Sequence, residues 1–181
     1  MNRPSLTVGL LTPMTLGELN QLKHTDAAAE LLKCCGSTRW AGEMTGARPF
    51  ASLEALCEKA DAVCQSLNEE DWLEAFRAHP KIGERKAATD QPQQAQSWSA
   101  QEQSGVTNAA RETVDELAQK NRDYEARFGF IFIICATGKS PEEMLTILQS
   151  RIGNDRHEEL LTAAEEQSKI TRLRLEKLLN Q

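Results

Sequence analysis

The fold is organised around the stretch FRAHPKIGE, residues 76–84, which follows the amphipathic run DWLEAF at 71–76. Pro80 disfavours the α conformation for the residue before it. His79 is therefore expected where a helix ends, a usual place for a reacting side chain. Taken alone, a histidine before a proline is more often a capping or partly exposed residue than a reactive one.

A second stretch, SAQEQSG at 99–105, spaces three polar side chains at helical intervals. If the segment is helical, Ser99, Glu102 and Gln103 share one face. A hydroxyl, a carboxylate and an amide on one face can surround a small polar molecule. The plain alternative is that Ser99 caps a helix and that Glu102 and Gln103 are an exposed polar pair in its first turn.

Length and composition favour one globular domain with a substantial core, since the chain has 181 residues and is 40% hydrophobic. A net charge of -6 argues against a nucleic-acid partner, because such affinity comes mainly from Lys and Arg. The longest apolar run, 128–136, is far shorter than the roughly 20 residues of a membrane span. We therefore expect no membrane partner. Residues 1–13 are expected to be a loose extension before a single domain at 14–181.

The five cysteines show no CxxC spacing, which indicates neither a disulfide framework nor a zinc site and fits a reducing cytoplasm.

Nearly every periodic segment has the helical period, which predicts an all-α, single-domain bundle. Capping signals predict helices that begin after Thr15, Ser52, Asn68 and Ser140. Loops are expected at 36–49 and 81–98. A long helix is expected from Ser97 or Ser99 towards Phe128, with breaks near Gly105 and Asn121 left open. The run 130–134 could be a strand by its residues, but one strand cannot make a sheet, so we expect a buried helical or extended segment.

Three motifs stand in order along the chain: HPKIGE at 79–84, SxxEQxG at 99–105 and FGFIFIICA at 128–136. Together they resemble the 2-oxo-4-hydroxy-4-carboxy-5-ureidoimidazoline (OHCU) decarboxylase family of urate breakdown. The resemblance extends from about Thr15 to the C-terminus. One departure is Ile131, which stands where the family commonly has proline in FGFPF.

The resemblance implies a helical bundle of the OHCU decarboxylase type that decarboxylates the ureidoimidazoline to S-allantoin and CO2. It implies a small-molecule substrate, a homodimer, and no cofactor or metal, because the substrate's own C=N bond can accept the electron pair. It carries over His79 and Glu102 to the site, and we expect both to be catalytic. Our hypothesis is that His79 acts in proton transfer and that Glu102 fixes either its tautomer or the orientation of the ligand. The substrate-binding residues that it implies are Pro80, Ser99, Gln103, Ile134, Ala136 and Arg174.

Two arginines are candidates for the substrate-binding arginine. Arg172 and Arg174 point about 200° apart on a helix, so only one can easily face inward, and the resemblance selects Arg174. Arg151 and Arg156 are expected to be surface charges.

Two other functions remain open. One is a helical protein-interaction module without catalytic activity, for which a bundle with an acidic surface would suffice. The other is a hydrolase with Cys135 as nucleophile and His79 as base. Cys135 lies in a continuous apolar run, where a thiol is more often inert packing, and this disfavours the hydrolase.

Overall fold

Helices form the architecture of the part of the chain that the computed structural model describes, residues 14–82, 93–102 and 111–179. Within these ranges there are nine helices and no strand, which confirms the all-α prediction. The helices are α1 (Leu16–Gln21), α2 (His24–Cys35), α3 (Thr38–Gly46), α4 (Leu53–Ser66), α5 (Glu69–Arg77), α6 (Gln93–Glu102), α7 (Arg111–Phe128), α8 (Pro141–Arg151) and α9 (Arg156–Leu178).

The four predicted capping residues are confirmed. Thr15, Asn68 and Ser140 each form a complete capping box, and Ser52 accepts a hydrogen bond from the backbone N–H of Ala55. Such caps satisfy backbone donors that have no partner inside the helix and stabilise it by about 1 kcal/mol each. Because a cap is a contact between residues three positions apart, sequence alone can identify it.

The loop expected at 36–49 is largely wrong, because α3 occupies Thr38–Gly46. Ser37 caps this helix by accepting a hydrogen bond from the N–H of Trp40. Trp40 and Met44, one helical turn apart, are fully buried. Burial of these side chains outweighs the low helix propensity of Gly42 and Gly46.

The region before the third motif also differs from expectation. Gln93–Glu102 is helical, so α6 begins inside the predicted loop at 81–98 and before Ser97. α7 continues through Asn121 to Phe128 without a break, and Gly105 lies outside the described residues. Ser99 is the seventh residue of α6 rather than its N-cap, so the capping alternative for Ser99 is wrong.

The core consists of two clusters joined by α9. One lies among α2, α3, α4 and the C-terminal turns of α9, and it includes Leu31, Trp40 and Leu175. The other contains the non-helical segment 130–134, with Phe76 and Tyr124. Because α9 packs against α2, α4 and α5, its buried face lies against the end of the helix that carries His79.

No helix in the described ranges is both long and apolar enough to cross a membrane.

Candidate active site

His79 stands at the end of α5, as its position before a proline predicts. Ala78 is the C-cap of that helix, and the N–H of His79 donates to the carbonyl of Phe76 at 3.0 Å. Pro80 has no N–H to continue the helical hydrogen bonds. The histidine therefore has a fixed backbone position at the boundary between helix and extended chain.

The end of α2 holds this boundary in place. Gly36, the C-cap of α2, has φ +87°, a left-handed conformation that glycine adopts without strain. A Cβ at Gly36 would lie only 2.5 Å from the Cβ of Ala78. The backbone of Gly36 at the end of α2 therefore packs against the side chain of Ala78 at the end of α5, one residue before His79.

A buried glutamine on α9 holds the imidazole. Nε2 of His79 lies 2.8 Å from Oε1 of Gln167. The amide nitrogen of Gln167 donates to the carbonyl of Cys35 at 3.3 Å and to Oγ1 of Thr171 at 3.2 Å. Gln167 is not among the residues that the sequence predicted for the site, because it is 88 residues from His79. It nevertheless lies on the buried face of α9 with Ile170 and Arg174.

The electrostatic surroundings keep His79 neutral. The pKa of His79 is lowered from 6.5 to about 3. Burial is the largest cause, the positive charge of Arg174 adds to it, and the hydrogen bond to Gln167 acts in the opposite direction. As a whole residue, His79 is half-buried rather than fully enclosed. At neutral pH the side chain is an uncharged imidazole with one nitrogen that donates and one that accepts.

The two late arginines have opposite environments. Arg174 is buried at 2% exposure, and its charge acts on His79. The side chain of Arg172 is 50% exposed and pairs with Asp61 and Glu176. Arg174 is therefore the one that faces inward.

The apolar motif continues past the end of α7 as a buried, non-helical segment that polar side chains anchor. Asn121 accepts from the N–H of Phe132 at 3.1 Å and donates to the carbonyl of Ile82 at 3.4 Å, so it ties this segment to the chain that follows His79. On the other side, Glu166 of α9 accepts from the N–H of Cys135 at 2.7 Å. Ile134 and Ala136 are both buried within the segment.

Arg151 is not a surface charge, and that expectation is wrong. It is buried and pairs with the fully buried carboxylate of Glu159, to which Tyr124 also donates. Its guanidinium donates to the carbonyl of Ile133 at 3.0 Å, so the network fixes the apolar segment. Burial and the bond to Glu159 raise the pKa of Tyr124. Arg156, in contrast, is exposed and pairs with Glu69, as expected for a surface charge.

Comparison of the sequence with known proteins identifies the family of this chain. The sequence model of OHCU decarboxylases matches residues 20–176. The chain belongs to the OHCU decarboxylase family. The uric acid degradation bifunctional protein TTL of Arabidopsis thaliana is 40% identical over 147 residues, which are 81% of this chain and 45% of that relative. The chain thus spans less than half the length of the Arabidopsis protein.

Two further relatives match over most of their length. The 2-oxo-4-hydroxy-4-carboxy-5-ureidoimidazoline decarboxylase of Halalkalicoccus jeotgali is 30% identical over 172 residues, 93% of each chain. A crystal structure of OHCU decarboxylase in the presence of (S)-allantoin has a TM-score of 0.73 and 38% identity, and the match covers 84% of this chain and 98% of that one. The resemblance inferred from the three motifs is confirmed, and the fold is that of an OHCU decarboxylase.

The structure brings together only some of the residues that the OHCU decarboxylase motifs predict for the site. His79, Pro80 and Arg174 lie around the end of α5 and the inner face of α9. Ser99 and Glu102 belong to α6, but their side chains lie outside the described part of the structure, as does the whole of Gln103. Lys33 of α2 donates to Gln94 of α6 at 3.2 Å, so α6 lies against the helix whose end meets α5.

Within the described ranges, no group of three or more His, Cys, Asp or Glu side chains could hold a metal ion.

Proposed function

We propose that this protein decarboxylates 2-oxo-4-hydroxy-4-carboxy-5-ureidoimidazoline to S-allantoin and CO2, in the breakdown of urate. The observation that carries the proposal is the imidazole of His79, held 2.8 Å from Gln167 and beside the buried Arg174, in a chain of the OHCU decarboxylase family. Relatives named for uric acid degradation and for this decarboxylase support it.

The substrate can supply its own electron sink. Loss of CO2 from C4 moves the bonding electron pair into a new C4=C5 bond, and the electrons of the adjacent C5=N bond move to the ring nitrogen. That nitrogen and C5 each gain a proton, while the C4 hydroxyl loses one as C4 becomes a carbonyl. The substrate anion thus consumes one proton overall and yields allantoin and CO2. The protein must orient the ring, stabilise the developing charge and deliver the C5 proton to one face.

In this proposal His79 contacts the C4 hydroxyl and takes part in proton transfer. A neutral imidazole can accept the hydroxyl proton at its unprotonated nitrogen, whereas an imidazolium could not. Glu102 is proposed as the second catalytic group. Ser99 and Gln103, with Pro80 and the backbone at Ile134 and Ala136, would hold the ring and the ureido group.

Arg174 would bind oxygen atoms of the ring or the ureido group rather than the departing carboxylate. A tight ion pair with that carboxylate would stabilise the ground state, and the interaction would weaken as CO2 forms, so it would slow the reaction. At oxygen atoms that gain negative charge, the same guanidinium would stabilise the transition state.

We also propose a cytoplasmic homodimer in which residues 14–181 form the decarboxylase domain. This part of the proposal follows from the family resemblance, and sedimentation equilibrium would test the dimer.

The decisive experiment uses the optical activity of the product. The unstable ureidoimidazoline is generated from urate with the two preceding enzymes, and allantoin formation is followed by circular dichroism. Spontaneous decay gives a racemate, so an excess of S-allantoin after this protein is added is the expected result. A racemate formed at the uncatalysed rate in the presence of folded protein would refute the proposal and leave a non-catalytic interaction module.

His79→Asn should lower kcat by about 10²- to 10⁴-fold, the usual contribution of a positioned acid–base group. The same change at the exposed His157 is the matched control and should retain full activity. Near-normal turnover by folded His79→Asn would remove His79 from the mechanism.

A further inference from the structure

Gln167 contacts His79 directly, and its hydrogen bonds reveal which imidazole nitrogen carries the proton. The glutamine is 2% exposed and belongs to α9, opposite the end of α5. Its three hydrogen bonds go to three different groups: the imidazole of His79, the carbonyl of Cys35 and the hydroxyl of Thr171.

Two of these partners fix the orientation of the amide. The carbonyl of Cys35, the last residue of α2, can only accept, and it has no partner inside its own helix. The hydroxyl of Thr171 gives its single proton to the backbone carbonyl of Gln167 at 2.9 Å, so towards the side-chain amide it can only accept. Both therefore require the NH2 group of Gln167. The reversed amide would set its oxygen against two acceptors.

The orientation of the amide determines the tautomer of the imidazole. With its NH2 group directed at Cys35 and Thr171, Gln167 presents Oε1 to His79, 2.8 Å from Nε2. An amide oxygen can only accept, so Nε2 of His79 must carry the proton. In the neutral ring Nδ1 then has a free electron pair, on an edge of the ring other than the one bound to Gln167.

We propose that Gln167 is a positioning residue that holds His79 in the Nε2–H tautomer, so that Nδ1 is the atom that accepts a proton from the substrate. The tautomer itself follows from hydrogen bonds in the structure, and its use in catalysis rests on the proposed function. The same glutamine joins the ends of α2 and α5 to α9, so it fixes both the protonation and the place of the ring.

A carboxylate bound to the other nitrogen would favour the opposite tautomer. If Glu102 fixed the imidazole, Nδ1 would donate to it and Nε2 would be unprotonated. The two assignments thus differ at a single observable proton.

The first test measures that proton directly and needs no substrate. The protein is labelled with 15N-histidine, and long-range 1H–15N spectra at pH 7 distinguish the two neutral tautomers. The His79 signals are those that disappear in His79→Gln. We expect the Nε2–H form, and observation of the Nδ1–H form or of the imidazolium would overturn the proposal. This result does not depend on whether the protein is a decarboxylase.

The second test separates positioning from mere support of the fold. Gln167→Met removes the acceptor at similar size, so we expect kcat to fall about 10- to 100-fold with a smaller change in KM, and the His79 signals to lose the pure Nε2–H pattern. Gln119→Met, the same change at an exposed glutamine of α7, is the control and should match wild type.

Gln167→Glu distinguishes the proposal further, because a carboxylate retains the acceptor but favours the imidazolium. Its activity should be restored at high pH, and an acidic limb should appear closer to neutral pH than in wild type. Wild-type kinetics in both variants would overturn the positioning role even if the tautomer is as expected. If Gln167→Met does not fold, Gln167→Glu and the wild-type spectrum still decide the question.

Discussion

The neutral state of His79 makes a quantitative prediction for stability as a function of pH. In the folded protein its pKa is about 3, against 6.5 for the unperturbed side chain. Between these values the unfolded chain binds a proton that the folded protein does not, so the free energy of unfolding falls as pH falls. The slope from this residue is about 1.4 kcal/mol per pH unit, or about 2.5 kcal/mol between pH 7 and pH 4.5. Because His79 is half-buried as a residue, this figure is an upper bound.

His79→Gln isolates this contribution. Glutamine does not titrate, and its NH2 group can still donate to Gln167, so the contact is retained while the proton linkage is lost. Acidification also protonates carboxylates, but it does so in both proteins and cancels in their difference. We therefore expect the variant to gain up to about 2.5 kcal/mol relative to wild type as the pH falls from 7 to 4.5.

The assay is urea denaturation at several pH values and constant ionic strength, with circular dichroism at a helical wavelength as the signal. His24→Gln, at an exposed position of α2, is the matched control and should follow the wild-type curve. Parallel curves for wild type and His79→Gln would refute the reasoning, since they would mean that His79 takes up its proton equally in the folded and unfolded states.

Two further predictions concern the support of the site. Gly36→Ala should destabilise the protein by more than 2 kcal/mol and slow turnover at least tenfold, because a Cβ 2.5 Å from Ala78 must displace the end of α5. Gly138→Ala is the control, because Gly138 also has a positive φ but no atom lies within 4 Å of the new Cβ. This variant should lose only the stability that the backbone conformation costs. If both variants lost the same stability and activity, the clash with Ala78 would be excluded. Glu159→Ala leaves Arg151 buried without its carboxylate and should cost about 3–5 kcal/mol in urea unfolding, whereas a loss below 1 kcal/mol would contradict a buried pair.

The parts of the fold that the sequence predicted correctly depend on residues close together along the chain. A capping box such as that of Asn68 is complete within four positions, and the stop at Pro80 acts on the residue before it. The loop expected at 36–49 fails for the converse reason. Its glycines suggested a loop by local propensity, but tertiary burial of Trp40 and Met44 determines that the segment is helical.

The partners of the site could not be read in the same way, because they meet only after the helices pack. Gln167 and His79 are on different helices, and so are Arg151 and Glu159. A weaker signal was nevertheless present. Arg151 continues the buried stripe of α8, three residues after Leu148, just as Gln167 continues that of α9, four residues after Ala163. A polar residue at an apolar position of a helix must find a partner inside the protein.

The electrostatic relation between His79 and Arg174 follows from the same packing and bears on the reaction. Arg174 is buried and its positive charge acts on His79. A guanidinium cannot give up its proton, so the imidazole is the group that stays neutral. Of these two groups, Arg174 carries a permanent positive charge and His79 can accept a proton. In the proposed reaction the substrate arrives with one negative charge, which CO2 loss transfers to the ring and its oxygen atoms. A fixed cation can stabilise that charge where it develops, and a neutral base can take the hydroxyl proton without a second cation opposing it. An imidazolium at His79 would instead bind the departing carboxylate and favour the state before reaction.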